Sequence, residues 1–231
     1  IDTSVLRKIT KYAKLFWINN GFYDNITSHK IVPECTFEEF KRAAETAQEN
    51  GVDLGLKSGE ALTGKLESLR RVPFDESYEP MLTDKTPGHD WVKESGVNLY
   101  GPSLTMKEVE AWAKAGKEKN ALNSKLVKGN GKLVEKVWRA GGNGIQPGMY
   151  AADLSAVIKY LEMAKPYASG DYQRGTIDKL IKYFRTGDLG DFRQFNIHWV
   201  RDTSTVDFIN GFIEVYLDPR GQKAEFESSV Y

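Results

Sequence analysis

The chain has 231 residues, and its 32 basic and 32 acidic side chains give a formal net charge of zero. Hydrophobic residues at 40% and aromatic residues at 12% indicate a folded globular chain rather than a disordered one. Without a basic excess the chain lacks the electrostatic signature of nucleic-acid binders, and it has no apolar run of about eighteen residues that would span a membrane. We therefore expect neither a nucleic-acid partner nor a membrane partner.

Apolar residues at helical spacing predict helices along most of the chain. The first predicted helix covers residues 4–17, and residues 60–71 carry a weaker helical pattern. Capping boxes at 36–39 and 105–108 predict two further helix starts, because a threonine and a glutamate three residues later can satisfy each other's backbone amides. Residues 72–102 are rich in proline and glycine and predict a long ordered loop.

The second half of the chain adds strands to this pattern. Residues 125–137 predict a β-hairpin around a glycine turn, and helices are predicted to end near Pro166 and Gly187. Residues 206–217 are rich in aromatic and β-branched side chains, and after a turn at 218–221 the segment 223–231 is predicted to return antiparallel. We therefore predict an α+β fold, mainly helical over 1–195 and β-rich over 196–231.

Cysteine and histidine usage argues against a metal site. Cys35 is the only cysteine, which excludes an internal disulfide and a multi-cysteine metal site. His29, His89 and His198 are at least sixty residues apart, whereas catalytic zinc is often held by two histidines one helical turn apart. We predict no metal ligand in this chain, with His29 and His89 in solvated loops and His198 packed beside aromatic rings.

The predicted strand around Glu214 carries the candidate chemistry. Since side chains alternate across a strand, Ile213, Val215 and Leu217 would share a core face. Glu214 and Tyr216 would then share the other face with Phe212, about 7 Å apart. The residues alone favour an ordinary solvent-facing side of a sheet, and a carboxylate–phenol pair fixed in a cleft is the alternative.

Several sequence blocks resemble the dipeptidyl peptidase III family of zinc metallopeptidases, and bacterial members in particular. The most specific blocks are Asn210-Gly211-Phe212-Ile213-Glu214-Val215-Tyr216, Asp218-Pro219 with Gly221, Trp199-Val200-Arg201-Asp202-Thr203-Ser204 and Tyr183-Phe184-Arg185-Thr186-Gly187-Asp188. The resemblance implies a two-lobed enzyme that removes dipeptides from the free amino terminus of oligopeptides. It implies that the chain is a single substrate-binding lobe over 1–231, whose strands form part of a β-barrel-like core. It further implies that Glu214 binds the substrate ammonium and that catalytic Tyr216 donates to the tetrahedral oxyanion.

The family's zinc motif, His-Glu-x-x-Gly-His, is absent from the sequence. The chain begins at Ile1 and ends directly after a strand-like stretch, so we expect a fragment whose parent enzyme carries zinc in a missing catalytic lobe. Such a fragment is expected to be inactive alone. A stand-alone, non-catalytic peptide-binding or interaction module is the alternative, and a structural helper without a ligand is a third possibility. One cysteine and no visible signal peptide favour the cytoplasm.

Overall fold

The computed structural model of the protein describes residues 2–231, which form helices, short strands and long ordered loops. The helices are α1 (Thr3–Ile18), α2 (Phe37–Glu49), α3 (Leu62–Leu69), α4 (Arg71–Phe74), α5 (Trp91–Glu94), α6 (Met106–Lys114), α7 (Ala151–Ala164), α8 (Asp171–Thr186) and α9 (Leu189–Trp199), with a 3-10 turn at Lys165–Tyr167 after α7. The strands are β1 (Ser124–Gly129), β2 (Lys132–Val137), β3 (Phe208–Phe212) and β4 (Phe226–Val230). The mixed, mainly helical content confirms the predicted α+β class.

Both predicted capping boxes form. The Thr36 hydroxyl accepts from the Glu39 amide at 3.1 Å, and the Glu39 carboxylate accepts from the Thr36 amide at 2.8 Å. Thr105 and Glu108 repeat the arrangement at 3.3 and 3.1 Å. These side chains satisfy amides that have no partner within the helix, so α2 and α6 begin where the sequence predicts.

The chain divides into two compact units, and the first contains the residues up to His89 together with Glu94–Gly96. Its apolar cluster joins α2 to α3 through Phe37, Leu62 and Leu66. Phe74 packs edge-on against Phe37, with ring centroids 5.5 Å apart. Offset and edge-on ring pairs of this kind stabilise beyond the area they bury, so the pair holds the end of α4 against α2.

The second unit contains Asp90–Lys93 and Val97–Tyr231. Helices α7, α8 and α9 pack in sequence, and α8 buries the largest apolar face of the three. The ring of Phe212 lies at the centre of the aromatic core, 4.7 Å from Trp138, 5.3 Å from Phe226 and 6.4 Å from Phe184. This cluster fixes the end of β3 against α8 and against the segment after β2.

The strands form two separate antiparallel hairpins. Strands β1 and β2 pair from Ser124↔Val137 to Gly129↔Lys132, which confirms the predicted hairpin. Asn130 and Gly131, at φ 50° and 73°, make the tight turn that matches the twist of the strands. Strands β3 and β4 pair from Phe208↔Val230 to Phe212↔Phe226. Over residues 2–231 the strands close no barrel, so the barrel-like core is not confirmed.

Three predicted boundaries are wrong. The β-rich region does not begin at 196, because α9 continues to Trp199. The Asp188 carboxylate caps this helix by accepting from the Gly190 and Asp191 amides at 2.7 and 3.1 Å. In addition, β3 ends at Phe212 rather than at 217, and its partner starts at Phe226 rather than at 223. Within residues 2–231, no helix is both long enough and apolar enough to cross a bilayer.

Candidate functional site

The loop that joins β3 to β4 begins with an irregular pairing. The Ile213 amide donates to the Glu225 carbonyl at 3.3 Å, while the Glu225 amide donates to the Glu214 carbonyl at 3.0 Å. Two residues on one side therefore oppose one on the other, which is the two-against-one pairing of a bulge. A bulge interrupts the regular alternation of side chains, and this is why the predicted strand to 217 stops early.

The bulge changes which side chains share a surface. Phe212 is buried, with 5% of its surface exposed, whereas Tyr216 is 63% exposed and Glu214 is also exposed. The predicted grouping of Phe212 with Glu214 and Tyr216 is therefore wrong, because the bulge lies between them. Val215 and Leu217 are half-buried and hold the loop against the protein. Glu214 and Tyr216 project outward from this loop.

Acidic side chains surround Tyr216. Burial raises the pKa of the Tyr216 phenol, and the charges of Glu227, Glu214 and Glu225 raise it further. Burial and the charge of Glu214 likewise raise the pKa of Glu227, and one Glu227 oxygen (Oε1) is buried without a hydrogen-bond partner among the described residues. Burial, followed by the charge of Asp218, raises the pKa of Glu225.

These shifts have a chemical consequence. Raised carboxyl pKa values mean that the ionised forms are poorly solvated and repel one another. A cation placed between Glu214 and Glu227 would relieve both effects at Glu227, and an ammonium group would do so through charge-assisted hydrogen bonds. The Tyr216 phenol is protonated at neutral pH, as an ordinary phenol already is, and can therefore donate a hydrogen bond.

A buried turn follows Tyr216 directly. Asp218 is fully buried, and its carboxylate accepts from the Tyr100 hydroxyl at 2.8 Å and from the Arg220 amide at 3.1 Å. The amides of Gln222 and Lys223 donate to its other oxygen, both at 2.8 Å. Four donors thus converge on one carboxylate, which fixes the turn at 218–221 and the entry to β4.

Glu118 neutralises the cations of this turn. Arg220 donates to both Glu118 oxygens at 2.9 and 3.0 Å, and each side chain is only 9% exposed. Burial alone would raise the pKa of Glu118, but hydrogen bonds from Arg220 and the charges of Arg220 and Lys223 outweigh it and lower that pKa. The fully buried Lys223 ammonium donates to the Ala121 carbonyl and the Ser124 hydroxyl at 3.2 and 3.1 Å. We call Tyr100, Glu118, Asp218, Arg220 and Lys223 the anchoring network.

The described residues do not fit a zinc site. No group of three or more His, Cys, Asp or Glu side chains among residues 2–231 is placed to hold a metal ion. His29 and His89 are exposed, and the Nδ1 atom of His89 lies 2.8 Å from the Asp84 carboxylate. His198 is half-buried on α9, where its Nδ1 faces Gly175.

Sequence reasoning missed the anchoring network and the acidic neighbours of Tyr216. The residues Asp218 to Gly221 predicted only a turn, although an aspartate at that position commonly accepts from the amides that follow it. Tyr100 and Glu118 contact Asp218 and Arg220 across 118 and 102 residues of sequence, so no local pattern reveals them. Glu225 and Glu227 could have been found from the antiparallel return, had the bulge been known.

Comparison with known proteins identifies the family. The family model for peptidase family M49 matches residues 113–231, more than half of the chain. Dipeptidyl peptidase 3 of Homo sapiens is 26% identical over 242 residues, covering 95% of this chain and 32% of the human protein. Dipeptidyl peptidase 3 of Nematostella vectensis is 26% identical over 252 residues, covering 95% and 33%.

A solved structure agrees on the fold. Dipeptidyl-peptidase III from Corallococcus sp. strain EGB aligns with a TM-score of 0.50 and 21% identity, over 75% of this chain and 32% of that structure. The chain spans about a third of the length of the curated relatives it matches. The match at 113–231 contains Glu214, Tyr216 and four of the five residues of the anchoring network. On this evidence, and as its sequence blocks predict, the chain belongs to peptidase family M49.

Proposed function

We propose that this chain is part of the peptide-binding portion of a zinc-dependent dipeptidyl peptidase. The observation that carries the proposal is the placement of Glu214 and Tyr216: both are exposed on a loop that is fixed at its far end by the fully buried Asp218. A rigid support of this kind is what a binding site needs in order to hold polar groups in one geometry. The names of the matched relatives support a peptide as the ligand.

Glu214 is the proposed anchor for the free amino terminus of the peptide. Its carboxylate is exposed, and the charge of Glu227 beside it adds to the attraction for an ammonium group. An anchor at a fixed distance from the scissile bond would set where the peptide is cut. Tyr216 is the proposed catalytic donor, because its exposed phenol carries a proton at neutral pH and can donate a hydrogen bond to the developing oxyanion.

Zinc belongs, in this proposal, to the part of the enzyme outside these 231 residues, since the described residues do not fit a metal site. That part, the catalytic lobe, is the proposed partner of this chain. We further propose that the β3–β4 hairpin joins a larger sheet there. Phe226 and Val230 on β4 are 42% and 72% exposed, and a two-stranded hairpin alone is marginally stable in water.

Peptide binding to the chain tests the role of Glu214. A short peptide with a free amino terminus is expected to bind, and its N-acetylated form, which lacks the positive charge, to bind about tenfold or more weakly. Glu214→Gln should weaken the free peptide to the level of the acetylated one. Glu162→Gln is the matched control, because Glu162 is exposed on α7, away from this loop. Equal affinities of the free and acetylated peptides would overturn the assignment.

Turnover tests the role of Tyr216. In the complete enzyme, Tyr216→Phe should lower kcat by about 10²–10³ while leaving KM nearly unchanged, because the lost donor acts on the transition state. A dipeptidyl-arylamide substrate measures both constants. The isolated chain should bind peptide without cleaving it. Cleavage by the isolated chain would refute the assignment of zinc to another part of the enzyme. If the natural protein consists of this chain alone and binds peptide, the non-catalytic peptide-binding module is favoured instead.

A further inference from the structure

A second feature of the molecule lies on the β1–β2 hairpin. An open cavity of about 690 Å³ is formed there by the hairpin, Pro102 and the segment 147–149, and none of Glu214, Tyr216, Glu225 and Glu227 lines it. Its volume is within the range of small-molecule sites. The charged side chains at its lining are Lys125, Lys136, Arg139 and Glu135.

Two of the cations are placed at a cost to the fold. Lys125 and Lys136 are direct cross-strand partners and therefore project from the same face of the hairpin. Like charges directly opposite each other destabilise a sheet. Burial and the charge of Lys136 lower the pKa of Lys125, whose ammonium donates only to the neutral Asn98 amide oxygen among the described residues.

The one acidic residue at the cavity is already occupied. Glu135 neighbours Lys136 on β2, so its side chain projects from the opposite face. Its carboxylate accepts from the Lys119 amide at 3.1 Å and from the Asn120 amide and side chain at 2.9 and 3.1 Å.

The cavity cations consequently lack an acidic partner. Within residues 2–231, Lys125, Lys136 and Arg139 form no ion pair. Lys128, on the same hairpin, pairs with Glu108 at 2.9 Å. Lys132, which does not line the cavity, also forms no ion pair among residues 2–231, so what distinguishes the cavity is that two unpaired lysines, Lys125 and Lys136, lie directly opposite each other.

Arg139 completes the cluster and is held in position. Its Nε donates to the Gln146 carbonyl at 3.0 Å, and no described residue receives a hydrogen bond from its two terminal amino groups. Gly148 is required at this close approach, because a Cβ on residue 148 would overlap the Val137 carbonyl oxygen and would lie 2.8 Å from Arg139 Cγ. A positioned guanidinium with free donors is suited to an oxyanion.

We propose that this cavity binds an organic oxyanion, a phosphate or a carboxylate, between Lys125, Lys136 and Arg139. Such a ligand would neutralise three cations that have no acidic partner among residues 2–231, two of which repel each other. The inference does not rest on the function proposed for Glu214 and Tyr216, because the two sets of residues do not overlap.

Titration of the chain with inorganic phosphate, followed by amide NMR, tests the proposal. The amides of Lys125, Lys136, Arg139 and Gly148 should shift along one saturable curve. Lys125→Gln combined with Lys136→Gln should weaken phosphate by about tenfold or more, since charge-assisted hydrogen bonds are lost. Lys132→Gln is the matched control, because Lys132 is exposed on the same hairpin but does not line the cavity. A parallel titration with succinate at equal ionic strength distinguishes the two ligand classes.

The melting temperature of the double variant distinguishes a ligand-binding role of the two lysines from a purely structural role, because the two roles predict shifts of opposite sign. If the two lysines are present for a ligand, the double variant should melt at a higher temperature than the unliganded parent, because a repulsion is removed. If they only support the hairpin through Asn98, the variant should melt lower. Absence of saturation with both anions, equal phosphate affinity in the double variant, or a lower melting temperature would each overturn the proposal.

Discussion

Residues 214–216 and 218–223 are neighbours in the chain and differ in how their polar groups are satisfied. In the second segment, Asp218 and Lys223 are fully buried and each polar atom described above has a partner within the protein. In the first, Glu214 and Tyr216 are exposed, and a nearby Glu227 oxygen has no partner in the described part of the chain. The contrast separates two uses of charge: one segment uses it to hold the fold, and the other leaves it available to a ligand.

The largest test of this contrast is removal of the Asp218 carboxylate. Asp218→Ala would leave the donors of Tyr100, Arg220, Gln222 and Lys223 without their acceptor, and we expect a loss of about 3–5 kcal/mol in the free energy of unfolding. Urea denaturation measures it. Asp218→Asn, which keeps one oxygen, should fall between the alanine variant and the parent, so the series remains readable if the alanine variant does not fold.

Glu214→Gln is the corresponding variant in residues 214–216. It should change the free energy of unfolding by less than about 0.5 kcal/mol, as is usual for exposed sites. If Asp218→Ala and Asp218→Asn lose no more free energy of unfolding than Glu214→Gln, the proposed difference between the charges that stabilise the fold and the charges available to a ligand is wrong.

The second test separates the Glu118–Arg220 pair from an ordinary surface pair. Glu118→Leu would strand the buried Arg220 and Lys223 charges, and we expect a loss of about 3 kcal/mol. Combining it with Arg220→Met should recover part of that loss, giving a coupling energy of about 2 kcal/mol in a double-mutant cycle. The exposed Lys114–Glu110 pair, at 3.4 Å, is the control and should couple by about 0.3–0.5 kcal/mol. Similar coupling in both pairs would remove the distinction.

The features that can be predicted from the sequence are those formed by residues close together in the chain. Local chemistry predicts the local features: the Thr36 and Thr105 capping boxes and the turn at Asn130–Gly131 form as their residue types require. Features that depend on distant residues are not predictable in this way. The bulge at Ile213 depends on pairing with Glu225, and without it the alternation along 212–217 was extended too far.

Of the candidate site, the sequence supplied Glu214 and Tyr216 through a family resemblance rather than through their pattern. Their roles remain predictions. Glu225 and Glu227, which shift the pKa of Tyr216, lie across the hairpin and were not visible without its register. Helix α9 was not predicted, although Asp188 is a strong capping residue and Phe192, Phe195 and Trp199 follow the i, i+3, i+7 spacing of a helical stripe.

The third test uses pH and concerns Glu225, which pairs with Ile213 and Glu214 across the hairpin. The pKa of Glu225 is raised by burial and then by Asp218, so the folded protein favours the protonated carboxyl. The stability that this proton gives is present below the ordinary carboxyl pKa and is lost as the pH rises through the raised value. Glu225→Gln, which is always neutral, should therefore match the parent at about pH 4 or below and melt modestly higher at neutral pH.

Thermal melts across that pH range measure the crossover, and Glu162→Gln on the exposed face of α7 is the control. A Glu225 variant that is less stable than the parent at neutral pH would show instead that the ionised carboxylate supports the fold.

The smallest expected effect concerns charge alone. The charges of Glu227 and Glu214 raise the pKa of Tyr216. After burial, Glu227 has the larger effect and Glu214 the next. Glu227→Gln should lower the pKa of Tyr216 more than Glu214→Gln, and Glu162→Gln should leave it unchanged. Carbon NMR of labelled tyrosine, assigned with Tyr216→Phe, follows the titration. In about 1 M salt, where the screening length falls to about 3 Å, the differences should shrink, because exposed charges are screened and packing is not. Differences in the Tyr216 pKa that persist in salt would mean that Glu227 and Glu214 act on Tyr216 through packing rather than through charge. Residues 214–216 would then resemble residues 218–223.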